Sequence, residues 1–70
     1  MGLAIVVHRP SPSGGRRVTV GSASLGLAHS DGDLIEFLRR AGLDDAESLV
    51  LGDSPHIVWC GGCAHEYGAV

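Results

Sequence analysis

The chain contains no lysine, asparagine or glutamine anywhere in its 70 residues. Lys and Asn need AA-starting codons and Gln needs CA followed by a purine, whereas the abundant Gly, Ala, Arg and Asp are readily spelled with G and C. The absence points to a GC-rich coding sequence and hence to a bacterial source. Positive charge is scarce as well: five arginines, Arg9 and the pairs Arg16-Arg17 and Arg39-Arg40, stand against eight acidic residues, for a net charge of −3. Phosphate backbones are bound by basic stripes on basic domains, so this balance excludes nucleic acid as an expected partner. Long apolar runs are missing too. The longest at the start, Leu3 to Val7, is five residues with no basic residue before it, which fits neither a signal peptide nor a membrane span. A cytoplasmic chain with no membrane partner is expected.

Aromatic residues are few, with Phe37, Trp59 and Tyr67 occurring once each by type. A chain of this length buries only about 60% of the surface that its unfolded form exposes, so the core must be thin and would gain from a staple, a metal or a partner chain. Hydrophobic residues at 44% and charged residues at 19% nevertheless suit a folded domain, despite eleven glycines. No linker, repeat or heptad divides the sequence. A single small α+β domain over residues 1–70 follows, with residues 8–15 as a flexible Pro/Ser/Gly loop and 61–70 as a C-terminal turn and tail.

In chain order, Leu3 to Val7 is apolar, short and β-branched, as a central strand covered on both faces would be. His8 to Gly15 holds two prolines and two glycines, which stop a ladder and turn the chain. Arg16 to Ser22 alternates, with Val18 and Val20 on one face and Arg17 and Thr19 on the other, so it reads as the second strand of an antiparallel hairpin. Ser24 to His29 has no clean period and reads as a connecting loop that tucks Leu25 or Leu27 under the helix.

Ser30 followed by Asp33 has the spacing of a capping box and predicts a helix from about Asp31. Leu34, Ile35, Phe37, Leu38 and Ala41 supply its apolar face, Glu36 and Arg40 pair at i, i+4, and Gly42 with Leu43 predicts a Schellman stop. Asp44 to Glu47 suggests one further helical turn. Ser48 to Leu51 reads as a short strand, ended by the turn residues Gly52 to Pro55. His56 to Cys60 reads as the last strand, with Ile57 and Trp59 on one face and His56, Val58 and Cys60 on the other. The expected order is ββαββ, one helix packed on one small, mainly antiparallel sheet.

Residues 56–67, His-Ile-Val-Trp-Cys-Gly-Gly-Cys-Ala-His-Glu-Tyr, hold both cysteines, two of the four histidines, the Trp and the Tyr. Two cysteines three apart in a reducing compartment read as metal ligands or a redox pair rather than a structural disulfide. Glycines between them let both thiolates face one point, so Cys60, Cys63 and His65 are candidate zinc ligands. His56 is not a candidate fourth: four strand residues at about 3.3 Å each place it roughly 13 Å from Cys60. His8, His29, Glu66, a water or a second protomer would have to complete the site.

The run Trp59-Cys60-Gly61-Gly62-Cys63 also resembles the active-site run of the thioredoxin family, Trp-Cys-Gly-Pro-Cys, with Gly62 at the Pro position. That resemblance implies Cys60 as a nucleophile activated at a helix N-terminus and Cys63 as the resolving thiol. Hairpin, helix and sheet followed by Gly61-Gly62 are, in addition, similar to the β-grasp sulfur carriers of the ubiquitin type. By that resemblance, cleavage after Gly62 would expose a Gly-Gly end for adenylation and thiocarboxylation. The fourth reading is structural: Cys60 ends a strand, Gly61-Gly62 is a turn, and Trp59 fills the core.

No Ser-His-Asp order, phosphate loop or metalloenzyme motif occurs in the sequence. The expectation is therefore a non-enzymatic module that binds a protein partner or its own copy, with Cys60, Cys63 and His65 as the candidate ligands of a stabilising zinc. A dithiol protein using Cys60 and Cys63 is the alternative.

Overall fold

Three strands, two helices and a fourth strand follow one another in the computed structural model, which describes residues 4–68. They are β1 (Ile5–Pro10), β2 (Arg16–Val20), β3 (Ala23–Ala28), α1 (Asp31–Arg40), α2 (Ala46–Leu51) and β4 (Ile57–Trp59). The strands form one mixed sheet in the order β3-β2-β1-β4. The neighbours β1 and β2, and β2 and β3, are antiparallel, while β4 lies parallel to β1 with Ile5 opposite Ile57 and Val7 opposite Trp59. The domain is α+β, with one main helix on a mainly antiparallel sheet, as the sequence predicts. No helix among the described residues is long and apolar enough to cross a membrane.

Alternation explains which face of the sheet is covered. Ile5, Val7, Val18 and Ile57 are buried and meet Leu34 and Leu38 of α1 and Ala46 and Val50 of α2 in one core. The intervening residues Val6, His8, Arg17, Thr19 and Val58 fall on the opposite face, where Arg17 and Val58 are exposed.

The main helix is built as its sequence signals. The Ser30 side chain accepts from the Asp33 N–H at 3.2 Å, and the Asp33 carboxylate accepts from the His29 N–H at 3.0 Å. At the other end Gly42, at φ +94°, sends its N–H to Arg39, and Leu43 sends its N–H to Leu38, the two bonds of a Schellman stop. Glu36 and Arg40 approach to 3.7 Å on the wet side.

Three expectations need correction. Of residues 24–29, expected as a loop, 24–28 form most of β3. The ladder shifts register between Val18 and Thr19, where Val18 faces Gly26 but Thr19 faces Ser24, so Leu25 is an extra residue and the alternation breaks. Gly26 belongs there for a steric reason: at φ +144°, a Cβ would come within 3.0 Å of the Phe37 ring.

Ser48 to Leu51, expected as a strand, continues the turn begun at Ala46 and forms α2. Ala46 and Val50, four apart, both face the core, and six residues are too few for periodicity to separate helix from strand. The order is therefore βββααβ rather than ββαββ. The turn after β1 is also shorter than expected, because the strand runs through His8, Arg9 and Pro10 with an irregularity after Val7. Bonds between Ser11 and Gly14, and from the Ser11 N–H to the Gly15 carbonyl, then close it. Leu3, the first residue of the expected strand, lies outside the described residues.

Candidate functional site

The stretch that follows β4 folds around Arg16. This residue shares the inward parity of Val18, and its side chain is fully buried, with a relative exposure of 0%. No carboxylate meets its guanidinium among the described residues; backbone carbonyls do. Nε donates to His8 at 2.7 Å, Nη1 donates to Cys63 at 2.8 Å and to Glu66 at 3.0 Å, and Nη2 donates to Cys60 at 2.7 Å. The Trp59 ring lies beside the cation at 5.3 Å. One guanidinium thus gathers the carbonyls of three residues of the C-terminal stretch and ties them to β1.

Further bonds close the stretch onto the sheet. Cys60 donates its N–H to Val7, continuing the β1–β4 ladder by one step, and Gly15 donates its N–H to the Tyr67 carbonyl. Gly61 admits nothing larger, since a Cβ there would lie 2.6 Å from the Arg9 Cβ at a φ of +67°, while one on Gly62 would make a tight contact of 3.3 Å with Pro10. Tyr67 is a core residue, 8% exposed. Its hydroxyl donates to Asp31 at 2.6 Å. Burial first, then that bond to an anion, hold its ionisation well above the usual tyrosine range.

His65 joins three segments. One ring nitrogen, Nδ1, meets Asp31 at the start of α1 at 2.8 Å, and the other, Nε2, meets Asp53 in the turn before β4 at 2.5 Å. Both bonds are made when the ring is protonated and donates from each nitrogen. The bond to Asp53 and then that to Asp31 raise the His65 pKa, against a smaller opposing effect of burial. His65 at φ +67° and Asp53 at φ +53° are the two non-glycine residues with positive φ among those described. Each position costs roughly 1–2 kcal/mol of backbone strain, which this pairing helps to offset.

A pH dependence follows. A proton bound more tightly in the folded than in the unfolded state stabilises the fold fully below the unfolded value, about 6.5 for His. That contribution disappears as pH rises through the raised folded pKa. The urea midpoint of the protein should therefore fall as pH rises from about 6.5 through the raised folded pKa, and His65→Gln should flatten that part of the profile. A parent midpoint that is level or rises over this window would mean that the clamp does not hold the fold.

The expected zinc ligands are placed close in sequence but spend their groups differently. Cys60 is half-buried, Cys63 is exposed, and both are free thiols. His65 has a carboxylate at each nitrogen. Among the described residues no three His, Cys, Asp or Glu side chains are grouped to hold one ion. His56 and His29 are exposed, and His8 bonds Thr19 through Nε2 at 2.9 Å. No helix follows Cys60 within the described residues, so the helix N-terminus that activates the first cysteine of the thioredoxin family has no counterpart there. Gly61-Gly62 is packed against β1, and the residues beyond it include Tyr67 of the core, unlike a projecting carrier tail.

Sequence reasoning passed over Arg16, Asp31, Asp53 and Tyr67. Arg16 carried a usable signal, since it lies two residues before Val18 on the inward parity of β2. Asp31 and Asp53 carried none, because a helix start and a turn already accounted for them. No protein-family model, curated protein or solved structure matches this chain.

Proposed function

We propose that the chain is a non-enzymatic protein-interaction module. In this reading the Cys–His stretch is a clasp that holds the sheet, and the face of the sheet away from the helices meets the partner. The observation that carries it is the inward use of the stretch's polar groups. The carbonyls of Cys60, Cys63 and Glu66 turn to Arg16, and both nitrogens of His65 are taken. These bonds support a role in holding the sheet, beside which the two thiols are free.

The open face supports the second half of the reading. Leu27 and Val58, on the two outer strands, are 41% and 43% exposed. They flank Val6, Thr19 and Arg17, with Arg9 at the margin. The apolar character of this face at Val58 and Val6 favours a protein partner whose contact patch is itself apolar.

Photo-crosslinking in the producing cell tests this. A photoreactive side chain at Val58 or Leu27 should yield the same adduct, one at Arg39 should not, and replacing Cys60 and Cys63 by Ser should change neither result. Loss of the adducts in the double Ser variant would return the stretch to thiol or metal chemistry. No adduct above the Arg39 control would remove the reading. Zinc at Cys60, Cys63 and His65 would have to take His65 from Asp31 or Asp53. A native mass spectrum of the freshly purified protein reads zinc, a disulfide and cleavage after Gly62 together.

A further inference from the structure

At the end of the open face nearest the Ser11–Gly14 turn lies a groove of about 330 Å³, lined by His8, Arg9, Ser11, Arg17, Thr19 and Leu27. That volume is at the lower end of the range for small-ligand sites. Its charge is unlike that of the rest of the chain. Arg9 on β1 and Arg17 on β2 bring two guanidinium groups to it, and no Asp or Glu lines it. Neither arginine pairs with a carboxylate among the described residues, where the ion pairs are those of Arg40 and His65. Two like charges on neighbouring strands repel each other.

The neutral part of the lining is also organised. The bond between His8 Nε2 and Thr19 Oγ1 fixes the imidazole and leaves Nδ1 for another partner. The Ser11 hydroxyl is already spent within its turn, donating to the Gly14 carbonyl at 3.1 Å. Leu27, 41% exposed, supplies an apolar wall.

From this arrangement we infer that the groove is a binding site for a phosphate monoester dianion carried on a small molecule with an apolar flank. Two guanidinium groups match the charge of about −1.5 to −2 that a monoester carries at pH 7, whereas a carboxylate would neutralise one of them. Each guanidinium presents a planar fork of donors that fits phosphate oxygens, and the apolar flank of the ligand lies on Leu27. General electrostatic attraction is a poor substitute explanation, because the chain as a whole carries −3. The inference goes beyond the protein-interaction reading. Crosslinking from Val58, on the far side of β1 from Arg17, tests that reading without the groove.

The test is a titration of the ¹⁵N-labelled protein at constant ionic strength with phenyl phosphate, inorganic phosphate and benzoate, followed by amide chemical shifts. Saturable shifts at Arg9, Arg17 and Thr19 are expected, with phenyl phosphate binding tighter than either of the others. Arg17→Ala should weaken phenyl phosphate about tenfold or more, the loss of a charge-assisted contact. Arg39→Ala, with the same change in net charge, should leave binding unchanged. Absence of saturable shifts, or equal weakening by both variants, would overturn the site. Benzoate binding as tightly as phenyl phosphate would overturn its dianion specificity, and inorganic phosphate doing so would overturn the apolar flank.

Discussion

Arg16→Met is expected to leave the protein unfolded, or folded with its C-terminal stretch released, at room temperature. Methionine reaches only about as far as the arginine Nε, so the guanidinium is lost together with all its donors. The carbonyls of His8, Cys60, Cys63 and Glu66 would then face an apolar thioether instead of a guanidinium. A buried acceptor left unpaired costs about 1–3 kcal/mol, and a small domain has only about 5 kcal/mol of net stability to lose. Even if water reaches half of these groups, the fold is left with little margin. Arg16→Lys should be nearly as harmful, because an ammonium is a single point and cannot span carbonyls contributed by both β1 and the stretch after β4. Urea denaturation followed by circular dichroism and by Trp59 fluorescence measures both variants. If Arg16→Met melts within a few degrees of the parent, water replaces the guanidinium at small cost and the clasp is not what holds the stretch.

Leu38→Ala should cost on the order of 2–5 kcal/mol, the range for removing a fully buried Leu without collapse of the space it leaves. Leu38 is 0% exposed and, with Leu34, joins the main helix to the sheet and to α2. Its neighbour Arg39 is exposed, so Arg39→Ala should stay within about 0.5 kcal/mol of the parent. The two substitutions lie one residue apart on the same helix, which removes helix propensity as an explanation of any difference. Equal urea midpoints for the two variants would place the core elsewhere than on this face of α1. The Leu38 and Arg16 variants should also differ in kind: the first weakens the whole domain, whereas the second acts first on the stretch beyond β4.

How much of this was legible in the sequence depends on how local each signal is. The main helix was legible to the residue at both ends, because its caps are set by neighbours: Ser30 with Asp33, and Gly42 with Leu43. The hairpin and the inward face of the last strand followed from alternation, which needs no knowledge of a partner. β3 was not legible, because the shift in register around Leu25 erases the period that identifies a strand. α2 was not legible because its six residues fit either period. Of the clasp, the Cys–His stretch drew attention by composition, but its organiser lies more than forty residues earlier. A carbonyl has no sequence signature, so a cation that binds carbonyls alone leaves no mark beyond an arginine on an inward-facing position.

The parallel pairing of β1 with β4 also constrains how the chain comes to be folded during its synthesis. Ile5 finds its neighbour only when Ile57 is present, so the centre of the sheet cannot close on a partly made chain. The hairpin and the main helix are local and form early, but the sheet's inner strand waits with one edge unpaired until residues 57–59 leave the ribosome. Arg16 waits longer still, since its acceptors extend to Glu66. Pairing over such sequence separations is slow, and an unpaired inner edge is prone to aggregate. Until residues 57–66 are in place, this domain carries an open sheet edge and an unmatched buried cation.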